Sequence, residues 1–244
     1  IERVQPCWES EQRRSLVAGH MAELIKRCFA PAQVTAYTFG SVPLKTYLPD
    51  GDIDLSIFTS DTSLRDSWAP QLQAALEEEA RSPHAILRVR DVQVINAEVR
   101  LLKCTLDGIV VDVSFNQIGG LCTLAFLESV DRLVGNEHLF KKSIILVKAW
   151  CYYESRLLGA HHGLISTYAL ETLVLYVFNM YHAVLSSPLE VLHTFLVEFS
   201  EFDWERYCLS IPGRIPSASF PNYAVEGVRP VGGGEPLLGP ELMA

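Results

Sequence analysis

The chain has 244 residues, 49% of them hydrophobic, and a formal charge of −9 from 20 basic and 29 acidic side chains. That apolar content excludes a disordered chain and allows one large domain or two modest ones, each with a core of its own. The acidic balance argues against a general polyanion binder, most of all over residues 149–244, where lysine is absent and arginines are outnumbered by acids.

In chain order, residues 10–29 read as a helix, with Ser10 at its N-cap and an apolar stripe of Leu16, Met21, Leu24, Ile25 and Phe29, and Pro31 ends it. A strand to Phe39, a turn at Gly40-Ser41 and a strand over Asp52–Phe58 follow. Residues 64–80 read as a helix whose end, Glu77-Glu78-Glu79, faces solvent, and Pro83 breaks it. Strands are expected over 85–96, 98–105 and 109–115, the last two joined at Asp107-Gly108, a dipeptide suited to a tight hairpin turn. From Gly119-Gly120 the spacing becomes helical over 121–133, 137–154, 166–185 and 189–199. The stretch from about residue 211 is rich in Pro and Gly and reads as loop or disorder. The expected fold class is α+β, a small mixed β-sheet with helices followed by a helical domain.

The chemistry is concentrated in residues 37–57. Asp52 and Asp54 are two apart on a predicted strand, so both point to one face while Ile53 and Leu55 point to the other. Like charges that close repel unless a cation lies between them, and hard carboxylate oxygens suit Mg²⁺ or Mn²⁺. Gly40-Ser41 offers backbone N–H groups and a hydroxyl without a bulky side chain, which suits a phosphate. An Asp-x-Asp pair alone is commonly a solvated turn; the Gly-Ser placement and apolar flanks favour a nucleotide site. Asp112 lies among Val110, Val111, Val113 and Phe115, where an ionised carboxylate is costly unless paired or metal-bound, and it is the candidate third carboxylate.

Six cysteines show no metal-ligand spacing, and several fall in apolar runs as small buried hydrophobes. Reduced, intracellular surroundings, cytoplasmic or nuclear, are expected. The longest apolar stretch, about 164–185, contains Glu171, Asn179 and His182 and reads as a buried helix, not a membrane span. His161 and His162 are adjacent, so their side chains diverge, and they read as an ordinary loop. The chain begins at Ile1 without a visible signal peptide and is expected to be part of a longer one.

The run Gly40-Ser41 … Asp52-Ile53-Asp54 followed by Asp112 resembles the signature of the DNA polymerase β-like nucleotidyltransferase superfamily. Ser143–Trp150 and Leu164–Leu170 look like the central-domain motifs of the terminal RNA nucleotidyltransferases, the cytoplasmic-type poly(A) and poly(U) polymerases. The longer runs Pro43–Leu55 and Gly159–Thr172 look like a plant branch of that family. The resemblance covers about residues 1–210. It implies an N-terminal helix (1–30) packing on the helical domain, a palm-like catalytic domain (31–118), a helical central domain (119–210) and an incomplete tail (211–244).

The implied activity is template-independent addition of UMP or AMP to an RNA 3′ end, with two Mg²⁺ or Mn²⁺ ions, an NTP (UTP or ATP) and RNA as ligands, no membrane, and room for a protein partner. By resemblance, Asp52 and Asp54 would hold both ions, and Asp112 would hold the catalytic one and help to deprotonate the RNA 3′-hydroxyl. Gly40, Ser41, Thr123 and Thr167 would belong to the nucleotide site, Lys148 would neutralise the triphosphate and Tyr168 would stack on the base. Plainer readings exist: Lys148 could snorkel from an apolar helix, and Tyr168 could be a core aromatic. Tyr152 stands where the family commonly has a second triphosphate lysine, a role open to Lys142 or Arg156, and Cys122 stands where it often has Asn. The family's base-reading residue lies in helices beyond a loop like 211–235, and no such segment precedes Ala244. An inactive scaffold that binds RNA or a protein partner is the rival reading.

Overall fold

The computed structural model describes residues 1–97, 99–211, 213–219, 226–227, 230–231 and 235–239. They form two units, Gln5–Glu128 and Ser129–Ala244, the latter joined by Ile1–Val4.

The first unit is built on a five-stranded sheet of order β1-β2-β5-β4-β3, from β1 (Thr35–Phe39), β2 (Ile53–Phe58), β3 (Val89–Ile95), β4 (Leu101–Leu106) and β5 (Ile109–Phe115). β1 runs antiparallel to β2, β2 parallel to β5, and β3–β4–β5 form an antiparallel meander. Asp107 and Gly108 both take positive φ, 46° and 80°, which lets a two-residue turn join β4 to β5. One face of the sheet is apolar: Ile53, Leu55 and Ile57 of β2, Leu102, Cys104 and Leu106 of β4, and Ile109, Val111 and Val113 of β5 are all buried. Helices α1 (Trp8–Cys28) and α3 (Trp68–Arg81) cover it with Val17, Met21, Leu24, Ile25, Trp68, Leu72 and Leu76. Each such side chain contributes roughly 1.5–3 kcal/mol on full burial. Because of the period of two, Asp54, Lys103 and Asp112 stand on the opposite face.

Three expectations for α1 need correction. The helix starts at Trp8, so Cys7 and not Ser10 holds the N-cap position. It packs on the palm sheet, within the 5–128 unit, whereas the sequence placed it against the helical domain. Leu16, assigned to its apolar stripe, is 58% exposed, and Arg14 and Val17 take the buried positions instead. The helix completes a turn every 3.6 residues, so the face through Val17, Met21, Leu24 and Ile25 continues back to Arg14 and leaves Leu16 on the flank.

The second unit holds the end of α4 (Ile118–Val134), α5 (Leu139–Ala149), α6 (Thr167–Tyr181) and α7 (Pro188–Glu201). α5 continues into a π-helical turn at Trp150–Glu154. Its start is later than the sequence suggested, because Gly135, Asn136, Glu137 and His138 all take positive φ and break the helical path. Ser166 caps α6 by accepting from the Ala169 N–H at 3.1 Å, and Ser187 with Glu190 forms a capping box on α7 after which Pro188 opens the first turn. Phe140 of α5 meets Phe178 of α6 edge-on at 5.4 Å. The Pro/Gly-rich stretch is not wholly loop: β6 (Tyr207–Ser210) and β7 (Gly213–Pro216) pair as a hairpin, and β8 (Glu226–Gly227) adds to it. Buried Asn179 explains part of this order, donating to the Ile211 carbonyl at 3.1 Å and accepting from the Leu238 N–H at 2.9 Å. Among the described residues no helix is long and apolar enough to cross a membrane.

Candidate active site

The parallel pairing of β2 with β5 sets Asp54 directly opposite Asp112, and Asp52 precedes β2 by one residue on the same side. One carboxylate oxygen from each of Asp52, Asp54 and Asp112 lies within 4.8 Å of the others, and all three residues are half-buried. Three carboxylates at that spacing repel one another, and a divalent cation among them removes the repulsion. The donor set is all oxygen, which fits Mg²⁺ or Mn²⁺ and not a thiolate-seeking metal.

The same register places Lys103 of β4 opposite Asp112, with Lys103 Nζ 2.9 Å from Asp112 Oδ2. The ammonium lends the cluster a positive charge at one edge. Sequence reasoning passed over Lys103, although counting back from the two-residue Asp107-Gly108 turn pairs it with Asp112.

Gly40 closes on the cluster from β1. Phe39 lies opposite Asp54, and at Gly40 the chain turns out of the strand with φ 72°. A Cβ on Gly40 would lie 2.6 Å from Asp54 Oδ2, so both the backbone angle and the close approach require glycine. Ser41 starts the one-turn helix α2 (Ser41–Leu44), beside Asp54 through Gly40. Gly120 of α4 packs on Phe39, where a Cβ would come within 2.3 Å of the ring. Thr123 follows three residues later on the same face of α4, half-buried, while Cys122 is exposed.

Lys148, Thr167 and Tyr168 belong to the second unit. Lys148 is buried, and its Nζ lies 3.6 Å from Glu171 Oε1, so it does not snorkel to solvent. Burial pushes the Glu171 carboxyl above the usual carboxylate range, and the Lys148 ammonium pulls it back. Thr167, in the first turn of α6, shares a helix face with Glu171, which brings it to the same side as Lys148. Tyr168 is 63% exposed and is no core aromatic. Tyr152 lies in the π-helical turn with its ring edge-on to Tyr153 at 4.9 Å, and Lys142 pairs with Glu137 at 3.6 Å. His161 and His162 fall in a single 3₁₀ turn.

Residues 1–129 match the model of the central palm domain of the mitochondrial-like poly(A) RNA polymerase. The chain belongs to this poly(A) RNA polymerase palm family. Residues 134–244 match the model of the PAP/OAS1 substrate-binding domain. Among solved structures, Cid1 poly(U) polymerase bound to MgGTP is similar with a TM-score of 0.73 at 16% identity, over 89% of this chain and 78% of that one. A structure of Cid1 as an RNA terminal uridylyl transferase gives 0.68 at 16% identity, over 84% and 72%. A cytoplasmic RNA terminal U-transferase gives 0.67 at 16% identity, over 86% and 72%. At these identities the likeness shows a shared fold, the nucleotidyltransferase palm with a helical domain. The comparison with curated proteins returns no match.

Proposed function

We propose that the chain is a template-independent RNA 3′-terminal nucleotidyltransferase that adds UMP or AMP from the NTP and releases pyrophosphate. The convergence of Asp52, Asp54 and Asp112, within a palm of the poly(A) RNA polymerase family, carries this reading. Asp52 and Asp54 would hold two Mg²⁺ or Mn²⁺ ions, and Asp112 would share the catalytic one. When bound, such ions neutralise charge on the attacking and leaving oxygens of an in-line displacement. Asp112, placed opposite Asp54, is the acceptor for the RNA 3′-hydroxyl proton. Gly40 and Ser41 present backbone and hydroxyl donors to the triphosphate beside Asp54, with Thr123 on the α4 face behind Phe39. Lys148 and Thr167 bind triphosphate oxygens, and Tyr168 supplies an exposed ring on which any base can stack.

Cid1 has been solved with the UTP analogue UMPNPP and with its short product ApU, which supports an NTP and an RNA end as ligands of this chain. The plant-branch assignment rests on the runs Pro43–Leu55 and Gly159–Thr172. The rival scaffold reading draws on Tyr152 and on the Lys148–Glu171 pair, which already engages the lysine meant for triphosphate.

Incubating labelled oligo(A) with Mg²⁺ or Mn²⁺ and each NTP separately decides between them. A ladder with one NTP is expected, absent for Asp52→Ala/Asp54→Ala and for Asp112→Ala while their circular dichroism stays native. Extension that survives Asp112→Ala would remove the third carboxylate from the mechanism. Silence with every NTP, also from a version extended at its C-terminus, would favour the scaffold.

A further inference from the structure

The loop that leads into Asp52 is gripped from α1 by a side chain that the proposed chemistry does not use. Arg14 sits in the buried stripe of α1 and is only 4% exposed. Its guanidinium donates to Ser10 Oγ at 2.6 Å, to the Pro49 carbonyl at 3.1 Å and to the Gly51 carbonyl at 2.7 Å. It also lies over the buried Tyr47 ring, 4.3 Å from its centroid. Gly51 is the residue before Asp52, so the bond holds the peptide through which the chain enters the first carboxylate.

The loop closes tightly on this fork. The Gly51 N–H donates to the Leu48 carbonyl at 2.8 Å. A Cβ on Gly51 would lie 3.0 Å from that carbonyl oxygen and 3.1 Å from Tyr47 Cβ. An ion pair from the same helix, Glu11 with Lys45 at 2.7 Å, holds the segment just after Ser41. α1 therefore clamps the stretch 45–51, which links the Gly-Ser turn to Asp52.

Burying a guanidinium is costly, and desolvation lowers the Arg14 pKa below the ordinary value while Tyr47, Asp52 and Asp50 pull it up. An apolar residue would fill that helical position at less cost to folding, but it could not bind two loop carbonyls.

We propose that Arg14 is a positioning residue for the metal-holding carboxylates: by fixing the Pro49 and Gly51 carbonyls it sets where Asp52 meets Asp54 and Asp112. The inference rests on the reading of the triad as a divalent-cation site. Lysine carries the same charge, but it is a point donor without a planar fork, so it cannot reach the three acceptors and stack on Tyr47 at once.

The test is a Mn²⁺ titration of the whole chain, reading free Mn²⁺ by electron paramagnetic resonance, beside kcat, nucleotide KM and Tm. Arg14→Lys should bind Mn²⁺ about tenfold more weakly, with kcat reduced and nucleotide KM near the wild-type value. Val17→Ala, in the same buried stripe, should lower Tm but keep wild-type Mn²⁺ affinity. A folded Arg14→Lys with wild-type Mn²⁺ affinity overturns the proposal, as does a wild-type chain that binds no Mn²⁺. If Arg14→Lys does not fold, Ser10→Ala carries the test: Mn²⁺ affinity weakened about two- to threefold supports it, and wild-type affinity overturns it. A wild type that binds Mn²⁺, weakened in Arg14→Lys, but extends no RNA would leave the positioning role standing and remove the proposed reaction.

Discussion

Lys103 and Asp112 are direct cross-strand partners on β4 and β5, and their side chains meet at 2.9 Å on the sheet face that carries the acidic cluster. The ammonium engages one oxygen of Asp112, and its charge would repel a cation held in the cluster. Lys103 is partly exposed, so solvent screens the pair and its effect is modest. Lys103→Met should therefore tighten Mn²⁺ binding by about threefold at low salt, with a smaller gain at high salt. Weaker binding in the variant would mean that the lysine orders Asp112 more than it competes.

Gly40 tests the other wall of the cluster. Gly40→Ala combines a left-handed backbone angle with a Cβ 2.6 Å from Asp54 Oδ2. The expected cost is about 1–3 kcal/mol in stability. Displacing Asp54 should lower extension about a hundredfold, well beyond what lost stability explains below Tm. Paired Tm and single-turnover measurements separate the two effects; activity that falls only as much as folded fraction would place Gly40 outside the chemistry.

Tyr168 is exposed on the first turn of α6, so its truncation should leave Tm nearly unchanged. Losing a base stack worth roughly 1–3 kcal/mol should raise nucleotide KM by about five- to 150-fold with little change in kcat. An unaltered KM for Tyr168→Ala would remove this ring from the nucleotide site.

Glu171 gives a pH signature. Its pKa is raised by burial against the opposing pull of Lys148, so the native chain keeps this proton to higher pH than the unfolded chain. The stability this confers is complete below the unfolded value of about 4.3 and is lost as pH rises through the raised native value. Glu171→Gln cannot ionise, so as pH rises from about 4.3 its Tm should fall less than that of the wild type. Parallel Tm curves would mean that Glu171 titrates as it does in the unfolded chain.

Local chemistry made much of this legible in advance. The period of two in β2 and β5 put Asp52 with Asp54 and isolated Asp112 among valines, and Asp107-Gly108 announced its hairpin. Lys103 was within reach of the same arithmetic, because a two-residue turn dictates which β4 residue faces Asp112.

By itself the sequence determined the α+β character, the helices and the strands of the larger sheet, and the residue types able to hold a cation, because those follow from hydrophobic periodicity and turn chemistry within a few residues. Tertiary structure alone decided that β2 lies parallel to β5, with Asp54 opposite Asp112, since no local signal sets the register of strands joined by a long crossover. It decided that a charged residue, Arg14, takes a core position of α1, and that part of the Pro/Gly-rich tail folds as a hairpin. Each of these depends on partners distant in the chain, a loop carbonyl at Gly51 or a buried amide at Asn179, whose hydrogen bonds offset the cost of burying polar groups.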